Sequence, residues 1–155
     1  MKKQRGRKRI EEVTYCAQIL WYHVSYSFAL PPTKDIVAGP YWEHTDMTVR
    51  GKLIHPEKFR DRELDMSFLG DRSIVDMMLN PMKYRGEPIA VGQLIIWGDE
   101  SRFLGSIPFD AVQFLCSLME SGRIKYVMLN GPQLYRGRSA IRSLYFEQEF
   151  VPEDW

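Results

Sequence analysis

A chain of 155 residues with 45% apolar and 13% aromatic side chains can build one self-supporting core, which excludes an intrinsically disordered or fibrous protein and leaves no room for two ordinary domains. The formal net charge of +1 excludes a strongly polyionic chain, but the charge is unevenly spread. Of the 21 basic residues, Lys2, Lys3, Arg5, Arg7, Lys8 and Arg9 crowd the start, and the 15 that remain face 20 acidic residues, so the body is net acidic.

No residue from Lys2 to Arg9 is apolar, so this stretch has nothing to bury against a core. The sequence therefore predicts a flexible basic arm over residues 1–10 and a single β-rich domain over 11–155. No apolar run approaches the 18 residues or so of a membrane span. Cys16 and Cys116 each lie inside an apolar run, which favours buried free thiols and a reducing, cytoplasmic setting.

In chain order, the first element is a long strand from Val13 to Leu30. Its apolar residues occupy odd positions first (Val13, Tyr15, Ala17, Ile19, Trp21) and even positions later (Leu20, Tyr22, Val24, Tyr26, Phe28, Leu30). Side chains alternate across a strand, so this switch predicts a bulge or bend near residues 19–22. Two half-solvated strands follow around Met47–Leu53 and Leu64–Phe68, expected as an antiparallel pair joined across HPEKFRD. A short helix is predicted over 74–79, with Ser73 and Asp76 as its capping box. Ile89–Trp97 and Ile124–Leu129 read as central strands, and WGDESR as the hairpin connection into Phe103–Ile107. A clear helix is predicted over 108–121, with an apolar stripe of Ala111, Phe114, Leu115 and Leu118 and Gly122 as its stop. Ser139–Phe150 closes the set. VRGKLI (49–54) and VGQLI (91–95) echo each other, and the glycine in each points to a bulge or a close backbone approach. Together these elements predict a mainly β fold: an antiparallel β-sandwich or partly open barrel of about seven strands.

Catalytic motifs are absent from the sequence: no G-x-S-x-G, phosphate-binding loop, H-E-x-x-H or C-x-x-C occurs. A metal site drawn from His44, Asp46 and His55 would need its two histidines brought together across 11 positions, a spacing that matches no standard ligand pattern. No cofactor and no metal is expected, and the chain is read as non-catalytic.

Two binding readings follow. The first is a module whose loops meet a protein partner. Its candidate contacts are Tyr41 and Trp42 on a proline-rich excursion, and Met77, Met78 and Met82, adaptable side chains around the short helix. The second is nucleic-acid or anion binding. It uses the arm residues Lys2, Lys3, Arg5, Arg7, Lys8 and Arg9 with a block that lacks acids from Ser121 to Phe146: Arg123, Lys125, Tyr135, Arg136, Arg138 and Arg142. That reading gains if the block converges beside the arm, and loses if its arginines scatter or pair with acids. A small hydrolase or ligand-binding barrel is a distant third, and a homo-oligomer is compatible with all three.

Overall fold

The computed structural model describes residues 10–30, 41–86 and 88–154, with Trp42 seen through its backbone alone. The predicted arm, from Lys2 to Arg9, lies outside the described residues. The alternating stretch after Ile10 forms one 18-residue strand, β1 (Glu12–Ala29). Tyr15 and Ala17 are fully buried in the core. Pairing with β2 (Trp42–His55) slips between Ile19 and Trp21, so Leu20 is an extra residue, and from there Tyr22 and Val24 face the core. The face switch in the sequence is thus a β-bulge.

The strands β3 (Glu63–Asp71), β4 (Gly92–Trp97), β5 (Glu100–Pro108), β6 (Tyr126–Pro132), β7 (Arg138–Ile141) and β8 (Ser143–Glu147) complete one eight-stranded sheet in the order β7-β4-β5-β3-β2-β1-β6-β8. Every pair is antiparallel except β3 with β5, which is parallel. A parallel neighbour needs a crossover. Here α1 (Ser73–Leu79), the chain to residue 91 and β4 supply it.

The two ends of that strand order, β7 and β8, are separated in sequence by Arg142 alone. The Arg142 N–H donates to the Asn130 carbonyl at 2.8 Å. Residues 138–147 thus behave as one bent strand whose first half pairs with β4 and whose second half pairs with β6. The sheet curls into a nearly closed, barrel-like form, as the partly open barrel reading required.

Inside it, the ring centroids of Phe103 and Phe146 each lie 5.4 Å from that of Phe68. Tyr15, Leu53, Met66, Leu94 and Leu129 are fully buried around them. Each such side chain contributes about 1.5–3 kcal/mol by leaving water. Both glycines of the sequence echo sit at close approaches. A Cβ on Gly51 would lie 2.9 Å from that of Ala17, and one on Gly92 would run into the Phe103 ring.

Helix α2 (Phe109–Glu120) packs on the barrel through Val112, Leu115 and Met119. The buried stripe is rotated by one residue from the expected one: Leu118 is half-buried and Phe114 is 63% exposed. Gly122, at φ 69°, ends the helix, its N–H donating to the Met119 carbonyl. The cap of α1 also differs from expectation. Asp71, not Ser73, holds the first turn: its Oδ1 accepts from the Ser73 N–H at 2.8 Å and the Ser73 hydroxyl at 2.7 Å. Among the described residues no helix is long and apolar enough to cross a membrane.

Candidate functional site

Helix α1 reads SIVDMML, five apolar residues in seven, and none of the seven is buried. A helix of this length is not stable alone, so tertiary contacts must hold it. It lies along one wall of an apolar groove of about 1330 Å³. Met77 and Met78 line the groove from α1, Leu69 and Leu104 from β3 and β5, Phe114 from α2, and Leu144 and Phe146 from β8. The opening follows from the bent strand. Strand 138–147 leaves β4 for β6 here, and Gly92 and Gly105, together with Leu144 and Phe146, line the groove beside that bend. Among the described residues the groove's charged lining is Asp46 and Asp71, with no Lys or Arg.

The segment after α1 is fastened by Asp76, whose carboxylate accepts from Asn80 at 2.8 Å, Lys83 at 3.3 Å and the Tyr84 hydroxyl. These donors favour the charged carboxylate, the Tyr84 hydroxyl most, and hold its pKa below the ordinary value. On the other flank, Glu43 accepts from Arg72 at 2.8 Å and from the Tyr26 hydroxyl at 3.0 Å. The Arg72 guanidinium sits 3.9 Å from the Phe109 ring centroid. These contacts tie the β1–β2 ribbon, α1 and the start of α2 together beside the groove. Arg72, more than Tyr26, keeps the Glu43 carboxyl below its ordinary pKa.

The partner residues expected from sequence divide. Met77 and Met78 line the groove, and Met82 stands next to it, 78% exposed. Tyr41 is elsewhere, stacked on Phe28 at 5.2 Å on the ribbon, and the side chain of Trp42 lies outside the described residues.

The basic block divides too. Tyr135, Arg136 and Arg138 meet Trp97 and Arg102 at a second cleft of about 620 Å³. Arg142 instead pairs with Glu12 at 2.9 Å. Arg123 and Lys125 lie at the far end of β6, where the Lys125 N–H donates to the Glu147 carbonyl. Five cations close together in sequence are therefore distributed over three places.

His44 and His55 stand near opposite ends of β2, which does not bring them together with Asp46. No group of three His, Cys, Asp or Glu able to hold a metal ion occurs among the described residues. Both cysteines are free thiols. Burial pushes Cys16 up to about 12 and raises Cys116, which Glu120 raises further. Neither is poised as a nucleophile.

The sequence did not single out Leu104, Trp97 or Arg102, and it assigned Phe114 to the buried stripe of α2 rather than to the groove. For Trp97 the signal was present but ambiguous, because Ile89–Trp97 is apolar at almost every position and hides which residues alternate outward. The chain matches no protein-family model, no curated protein and no solved structure.

Proposed function

We propose that this chain is a non-catalytic binding module that receives an apolar segment of a partner protein in the groove beside α1. The observation that carries this reading is α1 itself, an apolar helix with no buried residue, on the wall of an apolar groove. Contiguous exposed apolar surface on a soluble fold marks an interaction site. At about 1330 Å³ the groove exceeds the roughly 300–1,000 Å³ of small-molecule sites, so a chain segment suits it better than a compact ligand. Methionines on its wall can repack around different side chains. Asp46 and Asp71, with no lining Lys or Arg among the described residues, favour a segment that carries a basic residue beside its apolar anchors. Two free thiols suit a reducing, cytoplasmic setting for that encounter.

The test is a display selection of random 14-residue peptides on the immobilised full-length chain, followed by calorimetry on the selected sequences. The expected binders carry at least two large apolar side chains and a Lys or Arg. They bind Met78→Asp at least tenfold more weakly, while its melting temperature stays unchanged because Met78 is 68% exposed. Selected peptides that are wholly polar, or that bind Met78→Asp as well as the parent, would refute the reading.

A further inference from the structure

The second cleft is built on the outer face of β4. Ile95 pairs with Arg102 of β5 on one side and with Arg138 of β7 on the other, so two guanidinium-bearing side chains flank one buried isoleucine in a row across the sheet. Directly paired positions place Cβ atoms about 5 Å apart, so the two arginine stems stand roughly 10 Å from each other. Trp97 lies two residues along on the same face, 65% exposed, and Tyr135 reaches the cleft from the turn before β7, 71% exposed.

That turn is a two-residue hairpin. Tyr135 and Arg138 exchange both backbone hydrogen bonds, at 2.9 and 3.1 Å, around Arg136 at φ 50° and Gly137 at φ 75°. Two successive positive φ values define the tight hairpin turn that suits strand twist, and its first position favours Asn, Asp or Gly. Gly137 is required twice over, since a Cβ there would meet the Trp97 ring at 2.6 Å and the Ile96 carbonyl at 2.8 Å. Arg136 is different: an L-residue is strained at that φ, and local backbone chemistry gives no reason for arginine. Its guanidinium lies 5.3 Å from the Tyr135 ring centroid and projects at the cleft.

Three guanidinium groups thus share the cleft with one carboxylate, Glu100, which pairs with Arg102 at 2.7 Å. Asp99 in the neighbouring turn is the nearest further acid in sequence, and Arg62 donates to the Glu100 carbonyl at 3.0 Å on that side. The Glu11 carbonyl accepts from the Gln133 N–H at 3.1 Å, which fixes the start of β1 to the segment leading into the hairpin.

We infer that this cleft binds a nucleoside phosphate unit, with a base stacked on the exposed Trp97 and Tyr135 faces and the phosphate held by Arg136 and Arg138. Guanidinium forks match phosphate oxygens, and aromatic faces stack on any base. An acidic peptide would use the arginines but not two exposed rings. The volume of about 620 Å³ lies within the range of small-ligand sites, so one unit fits whether it is a free nucleotide or part of a single strand.

The experiment measures fluorescence anisotropy of a labelled 12-nucleotide single strand on the full chain. The unlabelled single strand, a mononucleotide, a duplex of the same sequence and an oligoglutamate peptide serve as competitors. The expected result is salt-dependent binding in which the single strand competes far better than duplex or oligoglutamate. Competition by mononucleotide at comparable concentration per site identifies a free nucleotide as the source, and its failure identifies a strand; either supports the cleft. Tyr135→Ala should weaken binding about tenfold. Arg136→Gly separates binding from folding, because glycine suits φ 50° better. It should weaken binding at least fivefold with no fall in melting temperature. Equal competition by oligoglutamate, or binding unchanged in both variants, would overturn the inference. This outcome is independent of the groove, so Met78→Asp should leave strand binding as it was.

Discussion

Gly92 and Gly105 face each other across β4 and β5, and the Phe103 ring lies against both. An alanine at position 92 would put its Cβ 2.5 Å from the Leu104 carbonyl oxygen and 2.6 Å from Phe103 Cε2. Comfortable carbon contacts are about 3.5–4.0 Å, so both neighbours must yield by about 1 Å. Neither yields easily. The carbonyl belongs to a paired strand, and the ring is fully buried against Phe68. Overpacking of this kind costs about 1–3 kcal/mol, and two obstacles at once place Gly92→Ala near 3 kcal/mol. Phe103→Leu alone should cost about 1–2 kcal/mol, a fraction of the roughly 3–5 for removing a buried phenylalanine. In the double variant the ring is gone and only the carbonyl resists. The combined loss should then fall short of the sum by about 1 kcal/mol, a coupling expected of residues in contact. Urea unfolding followed by tryptophan fluorescence at 25 °C gives each value from the midpoint shift at constant slope. A cost below about 0.5 kcal/mol for Gly92→Ala, or additivity within about 0.3 kcal/mol, would refute the argument. Because both glycines also line the groove, Gly92→Ala should narrow it as well.

Tyr84→Phe removes the largest influence on Asp76, so the carboxyl's titration midpoint by ¹³C NMR should rise toward the ordinary value of about 3.9. The sign follows from a depressed carboxylate: its stabilisation is present above the unfolded-state pKa and lost as pH falls through the folded one, so the variant should lose less stability on acidification than the parent. With iodoacetamide at pH 8, half-buried Cys116 should be modified first and Cys16, held near 12, at the rate of unfolding; equal rates would place Cys16 at the surface. Leu115→Ala should cost about 2–5 kcal/mol. Phe114→Ala should fall within about 0.5 kcal/mol of the parent, since the two lie on opposite sides of the α2 burial boundary, and thermal melts distinguish them.

Much of the fold was legible because period-2 patterns leave little choice. The odd-to-even switch in β1 announced the bulge at Leu20, and the alternation around Met47–Leu53 and Leu64–Phe68 gave the β2–β3 pair. The parallel β3–β5 pairing was not legible, because strand adjacency is decided by long-range packing rather than by either strand's own pattern. In α2 the dense apolar content supports two neighbouring stripes, and only the barrel beneath decides that Val112 rather than Phe114 is covered. Met77 and Met78 were found as candidates because clustered methionines on a short helix are conspicuous. The groove they line was not, since its far wall comes from Leu144 and Phe146, more than 60 positions later. The basic block failed as one surface for the same reason: nearness in sequence says nothing about which end of β6 a residue reaches.

The bent strand 138–147 also sets the order in which the barrel can form during synthesis. When residue 120 has been made, β1 to β5 and α2 exist, but β4 lacks its β7 neighbour and the first half of β1 lacks β6. The β1 edge is covered only once β6 has emerged through Pro132 and the β4 edge only once β7 has emerged through Ile141, with β8 added to β6 last, through Glu147. At about 5–20 residues per second, that interval is on the order of a few seconds. Chains rich in non-local strand pairing fold in roughly milliseconds to seconds, so closure is paced by the ribosome as much as by the polypeptide. During that window the two open edges are templates for pairing with other chains. A nascent chain held with α2 complete and β6 not yet out of the ribosome would therefore present both edges at once, and continued synthesis would cover first the β1 edge with β6 and then the β4 edge with β7.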